Sequence, residues 1–167
     1  MGWVRRGITD GESIADHMYR MAVMFMVMPE SWIQGADRSK CIEMALVHDM
    51  AEAIVGDITP ECGISSSEKH RLEDSAMAEM CLLLPTEIGA RIKSLFEEYN
   101  KASTKEAQLV KQIDKLEFLI QTREYEKSRG VCLEEFFDNT RSMIKDQGFK
   151  DMLAHLDKPD ELLHSQK

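Results

Sequence analysis

No stretch of this chain is apolar for long enough to cross a bilayer. The longest hydrophobic run, Met21 to Met28, is far short of the roughly 20 residues required, and the N-terminus has no signal-peptide pattern. Cysteine is sparse and scattered: Cys41, Cys62, Cys81 and Cys132 form no C-x-x-C pair, which argues against a closed thiolate zinc site and fits reduced thiols of an intracellular protein. Blocks of consecutive Lys or Arg are lacking, and the net charge is −9, so a nucleic-acid polymer held by phosphate contacts is excluded as a partner. There is no glycine-rich phosphate loop and no Ser or Cys nucleophile motif, and strand-like alternation of polar and apolar residues is missing throughout. What these absences leave is an acidic, all-α protein. A small anionic substrate is compatible with it if a local positive charge, such as a divalent ion, offsets the acidic surface.

At 167 residues the chain is long enough for one compact domain with a real core, and residues 1–167 are expected to form a single domain with its core over about 3–137 and short helices over about 138–163. Ser13 caps a first helix that Pro29 stops, so this helix should run from about Ser13 to Met28. A second is expected from Asp37 or Arg38 to Val55, with Gly56 as its stop. Turn residues crowd the stretch from Gly56 to Gly63. Ser65-Ser66-Ser67-Glu68 has the form of a capping box opening a helix to Leu84, before Pro85. A fourth helix over Glu87 to Asn100 and a long one from Ser103 or Thr104 to about Ser128, closed by Gly130, complete the main body. Trp3, an aromatic residue almost at the first position, leads us to expect a further segment upstream.

The chemistry concentrates in the run Met44-Ala45-Leu46-Val47-His48-Asp49-Met50-Ala51-Glu52. On a continuous helix His48 and Asp49 reach one ion from neighbouring positions, and Glu52 lies on the His48 face one turn later. Asp114 sits on an apolar stripe with Leu109, Val110, Ile113 and Leu116, where an acidic residue needs a partner. Imidazole and carboxylate donors suit Mn, Co, Fe, Ni or Mg. Other features have plainer readings. Met18, Met21, Met24, Met26 and Met28 read as a plastic helix core. His70, His155, His164 and the pairs Glu97-Glu98 and Glu134-Glu135 read as solvated.

The pattern His17, His48-Asp49 and Asp114 resembles the metal signature of the HD superfamily of phosphohydrolases. Gly2-Trp3, Glu12-Ser13-Ile14-Ala15-Asp16-His17, Leu46 to Glu52, Val55-Gly56-Asp57-Ile58 and Leu109 to Lys115 narrow the resemblance to the HD-domain 5'-deoxynucleotidases, from Trp3 to about Phe137. The resemblance implies a helical bundle with a metal site between helices, a homodimer, and hydrolysis of deoxyribonucleoside 5'-monophosphates with a divalent cation (Mn2+, Co2+ or Mg2+). It makes His17, His48, Asp49 and Asp114 the metal ligands and places Glu52 and Asp57 in catalysis. Glu52, Asp57 and the backbone of Ile58 would hold a second ion. Trp3 would pack near the sugar and exclude a 2'-hydroxyl, with Thr59 contributing a hydroxyl. Where bacterial relatives have a phosphate-binding arginine before the tryptophan, this chain has Gly2, so Arg6 is the first substitute and Lys69 or Arg71 the next. The family's helix upstream of the tryptophan is not in this sequence.

Two other readings share these residues. One keeps the metal but takes a cyclic nucleotide, a nucleoside triphosphate or a guanosine polyphosphate as substrate; Trp3 and the short chain favour the monophosphate. The other is a helical interaction protein with a structural metal, against which Glu52 and Asp57 argue, since a structural site has no use for extra acids on its open side.

Overall fold

The computed structural model describes residues 2–59 and 62–156. Among them are nine α-helices, one short 3-10 turn (Val4–Arg6) and no strand, so the all-α expectation holds. Pro60 and Glu61 of the turn-rich stretch, the end of the expected C-terminal helices (157–163) and His164 lie outside the described residues. None of the described helices is long and apolar enough to cross a membrane. The chain divides into two compact units, Met1–Lys111 and Gln112–Lys167.

In the first unit, α1 (Ile14–Val27) begins with the full reciprocal capping box: the Ser13 hydroxyl accepts from the Asp16 amide, and the Asp16 carboxylate accepts from the Ser13 amide at 2.9 Å. Such a cap contributes about 1 kcal/mol. Its apolar face, Met21, Ala22 and Phe25, is buried, and α1 packs on α3 (Arg38–Ala45), which buries Cys41, Met44 and Ala45. Burial pushes the Cys41 thiol up to about 12, so it is an inert core group. A four-residue helix, α2 (Glu30–Ile33), follows Pro29 and was not expected. Arg38 then locks the end of α1, donating to the carbonyls of Phe25 and Met28 and pairing with Glu30, where a cation also complements the helix dipole. Met26 departs from the expected methionine core and is 67% exposed.

The expected single helix from Asp37 to Val55 does not form. It breaks into α3, a run of tight turns over residues 46–51, and α4 (Glu52–Val55). Across the break, four-residue bonds such as His48 N to Met44 O at 2.9 Å give way to three-residue steps: Val47 N to Met44 O, Met50 N to Val47 O, Glu52 N to Asp49 O and Ala53 N to Met50 O, all at 3.0–3.1 Å. The local cause is His48, whose Nδ1 is 2.9 Å from the Ala45 carbonyl, the acceptor an α-helix would offer to the Asp49 amide. A side chain competing for that carbonyl favours the tighter winding.

The helix α5 (Ser66–Leu82) starts where expected, but its box is half formed: Ser65 accepts from the Glu68 amide while the Glu68 carboxylate turns to Arg71. α6 (Thr86–Lys101) packs on α5 and buries Leu95, Phe96 and Tyr99. Glu98, expected to be solvated, is half-buried and paired with Lys40 at 2.8 Å and with Thr104, contacts that hold its carboxyl below the ordinary value against the opposing effect of burial. The Thr104 hydroxyl caps α7 (Lys105–Arg129) by accepting from the Ala107 amide.

In the second unit the later turns of α7 are joined by α8 (Glu134–Arg141) and α9 (Gln147–Leu156). Phe118 meets Phe136 edge-on at 5.3 Å, and the Arg123 guanidinium lies 3.6 Å from the centre of the Phe137 ring while bonding Glu126 and Glu134. The Gln112 carboxamide ties the α8–α9 turn to α7 through Met143 O and Lys145 N.

Gly89 marks the closest approach of α5 and α6. A Cβ there would stand 2.6 Å from the Cys81 carbonyl oxygen, and backbone cannot step aside as a flexible side chain does. Gly89→Ala should therefore lower the unfolding free energy by about 1–3 kcal/mol, opposite in sign to the roughly 1 kcal/mol gain of the same exchange in an open helix; urea denaturation measures it.

Candidate functional site

Three of the expected ligand residues converge within the first unit. His17, on the first turn of α1, and Asp49, on the tight turns, approach with Nε2 and Oδ2 3.8 Å apart, and His48 Nε2 is 3.2 Å from the same Asp49 oxygen. The two imidazole rings lie 5.5 Å apart between centroids, with one nitrogen of each within 4.8 Å of the other. His48 is 2% exposed. The Ala45 carbonyl can only accept, so in the neutral ring Nδ1 carries the proton and Nε2 presents its lone pair to Asp49. A lone pair facing a carboxylate is favourable when a cation lies between them, and orientation of an imidazole by a backbone carbonyl is the usual support of a metal-ligating histidine. The donor set thus fits a divalent ion, with nitrogen and oxygen ligands and no thiolate. Tyr99 packs on the other side of His48 at 4.7 Å between ring centres, and the Lys111 ammonium sits 3.8 Å from the centre of the Tyr99 ring. The sequence analysis singled out neither side chain.

The acidic residues form the adjoining half of the site. Glu52 opens α4, its amide donating to the Asp49 carbonyl at 3.0 Å, so it follows the tight turns rather than continuing one helix from His48. Burial first, then the charges of Asp49 and Asp57, push the Glu52 carboxyl up to about 8. Gly56, with φ at +74°, turns the chain out of α4 so that Asp57 and Ile58 follow directly. The Gly2 amide donates to Asp57 Oδ2 at 3.3 Å, which brings the N-terminal residues onto this loop. Trp3 is held beside it, its indole Nε1 donating to Glu12 Oε1 at 3.3 Å, and Glu12 is ion-paired with Arg20.

The phosphate-donor candidates separate. Arg71 is committed to Glu68 through two bonds of 2.7–2.8 Å on the exposed face of α5. Arg6 is half-buried in the 3-10 turn. Its neighbour Arg5, not singled out from sequence, reaches the loop after α4 with Nη2 3.6 Å from Cys62 Sγ. Thr59 Oγ1 lies 3.5 Å from the same sulfur, an interaction that lowers the Cys62 thiol pKa. Lys69 faces inward, its ammonium donating to the Ile58 carbonyl at 3.1 Å and lying 3.8 Å from Glu52 and 3.4 Å from Glu73. His70 bonds the Ser66 carbonyl on the exposed side, as a solvated helix residue would.

Asp114 belongs to the second unit, half-buried on α7 with Lys115 Nζ 2.9 Å from its Oδ2. One turn later Glu117 is 1% exposed. This buried acid was missed, although it lies in the same apolar stripe that drew attention to Asp114.

The sequence model of the HD domain matches residues 1–152. The chain belongs to the HD-domain family. It is 41% identical over 158 residues to the mouse 5'-deoxynucleotidase HDDC2, spanning 93% of this chain and 78% of that one. The Dictyostelium discoideum protein of the same name is also 41% identical, over 166 residues, with 93% and 87% covered. Among solved structures, the PH0347 protein of Pyrococcus horikoshii OT3 superimposes with a TM-score of 0.74 at 30% identity, covering 93% of this chain and 88% of that one. The HD domain-containing protein YGK1 superimposes with a TM-score of 0.67 at 32% identity, covering 86% and 74%. HD-domain phosphohydrolases are metal-dependent, in keeping with the donors described above.

The raised Glu52 value has a consequence for the metal-free protein. A carboxyl lifted from its ordinary 4.5 to about 8 favours folding while protonated, and this contribution is lost as pH rises through that interval. Glu52→Gln, neutral at every pH, should melt higher than the parent near pH 8–9, with the gap closing toward pH 4.5; thermal melts in chelator across this range check it.

Proposed function

We propose that the protein is a metal-dependent 5'-deoxynucleotidase that hydrolyses deoxyribonucleoside 5'-monophosphates to deoxynucleosides and phosphate. The observation that carries this reading is the convergence of His17, His48 and Asp49 beside the half-buried carboxyl of Glu52. Similarity to relatives named 5'-deoxynucleotidases supplies the substrate class. In this reading Asp114 of α7 completes a His17, His48, Asp49, Asp114 ligand set for Mn2+, Co2+ or Mg2+, the chain acts as a single HD domain, and it works inside the cell as a homodimer.

A divalent ion in that set supplies acidified water and positive charge for the phosphoryl oxygens, which a protein of net charge −9 does not offer in bulk. The chain's own groups do the rest. Water attacks phosphorus, the bond to the 5'-oxygen breaks, and the leaving oxygen takes a proton. Glu52, whose carboxyl is raised by burial and by the charges of Asp49 and Asp57, is placed to give that proton, with Asp57 sharing the acid–base work. Lys69 and Arg5 bring positive charge to the loop that carries Asp57 and Thr59, and they take over from Arg6 as the leading phosphate contacts. No covalent intermediate is needed.

Two outcomes test the reading. In a panel of nucleotides, dAMP and the other deoxynucleoside monophosphates should be cleaved, chelator should abolish turnover, and Mn2+ or Co2+ should restore it. Asp49→Ala should lose both bound metal and activity, and full turnover by metal-free protein, verified by elemental analysis, refutes the assignment.

The second outcome concerns the sugar. If Trp3 packs where a ribose 2'-hydroxyl would lie, the ribonucleotide buries that group without a partner at a cost of about 1–3 kcal/mol. This corresponds to roughly 5- to 150-fold discrimination in kcat/KM. Trp3→Ala should narrow the gap between dAMP and AMP; equal cleavage of the two by the parent protein removes the deoxynucleotidase assignment and leaves a generic metal phosphohydrolase.

A further inference from the structure

Glu12 stands one residue before the cap of α1, and its two carboxylate oxygens face different partners. Oε1 accepts from the indole Nε1 of Trp3 at 3.3 Å, while Oε2 is ion-paired with Arg20 in the second turn of α1. The Glu12 side chain is only 11% exposed, and a carboxylate withdrawn from water needs partners for its lone pairs. An indole has one N–H donor and no acceptor, so this bond sets the direction in which the ring points. Gly11 adds a steric limit: a Cβ there would come within 3.3 Å of Trp3 Cβ and 3.5 Å of Cδ1, so the tryptophan rests against bare backbone. The Trp3 carbonyl accepts from the Arg6 and Ile8 amides at 3.0 and 3.1 Å. These amides anchor the backbone, and Gly11 and Glu12 direct the side chain.

A wall that rejects a hydroxyl works only while it stays where the hydroxyl would go. A half-buried indole near the chain terminus that swings aside at little cost would let the ribonucleotide fit, so discrimination requires a fixed rotamer. We propose that Glu12, braced by Arg20, holds the Trp3 indole in the position that rejects a 2'-hydroxyl, so that the choice of sugar depends on this carboxylate as well as on the tryptophan. Glu12 acts through Trp3 and is a positioning residue. Arg20 contributes because a buried carboxylate stripped of its cation turns toward water, and the indole then loses its acceptor. The sugar role rests on the place that the proposed function gives Trp3; the hold of Glu12 on the indole does not.

Two measurements test this, with folding monitored by circular dichroism. The first is the ratio of kcat/KM for dAMP to that for AMP. General damage to the site slows both substrates alike and leaves the ratio unchanged, whereas release of the indole lowers it. Glu12→Leu should lower the ratio roughly 3- to 10-fold, the worth of one hydrogen bond, and should add nothing to Trp3→Ala. Arg20→Met should lower it too, and Glu12→Gln, whose amide oxygen still accepts from the indole, should keep most of it. The second is acrylamide quenching of Trp3 fluorescence in a Trp32→Phe background, which leaves one tryptophan, without metal or nucleotide. Glu12→Leu should raise the quenching constant and Glu12→Gln should not. An unchanged ratio in Glu12→Leu or in Trp3→Ala, or unchanged quenching in Glu12→Leu, overturns the proposal. Equal cleavage of dAMP and AMP by the parent removes the sugar role together with the deoxynucleotidase reading, yet raised quenching in Glu12→Leu still supports the hold on Trp3.

Discussion

The bond from His48 Nδ1 to the Ala45 carbonyl is the constraint on which the rest of the site depends. It spans only three residues, yet it acts at two levels. It takes up a carbonyl that a regular helix would use, and so favours the tight winding between α3 and α4. It fixes the tautomer of a buried imidazole, turning a lone pair toward Asp49 and His17. Glu52 follows at the start of α4, where burial first and then the charges of Asp49 and Asp57 push its carboxyl up to about 8.

Around His17, His48 and Asp49 the donors are suited to a divalent ion, and beside Glu52 and Glu73 the chain adds positive charge of its own on Lys69. An acidic protein that handles a phosphate ester must concentrate cations locally, since its overall field repels the substrate. Arg5 on the adjoining loop adds to this concentration. The N-terminal segment contributes too: Gly2 bonds Asp57 and Trp3 is held through Glu12 and Arg20, so residues before α1 help to shape the region that would receive the sugar.

Much of the scaffold was legible in the sequence because its signals are local. Ser13, Thr104, Pro29, Pro85 and Gly130 delimit helices by satisfying or refusing backbone hydrogen bonds, and those effects operate within a few residues. Where prediction failed, a side-chain contact that the apolar spacing does not reveal was responsible. The run from Asp37 to Val55 has the apolar spacing of one helix, and only the engagement of His48 with its own backbone breaks it. Glu98 has the appearance of a surface residue until Lys40, on another helix, is brought beside it.

For the site the same distinction holds. The sequence by itself determined the all-α class and the family, and it drew attention to His17, His48, Asp49, Glu52 and Asp57, because polar groups embedded in apolar runs need partners. Only the tertiary structure decided which cation meets which oxygen. Lys69 and Arg71 stand two residues apart in one helix and look equivalent on paper. They point to different sides of α5, so one neutralises Glu68 at the surface while the other enters the acidic cradle of Ile58, Glu52 and Glu73. Helical phase, and the packing of α4 against α5, assign those roles.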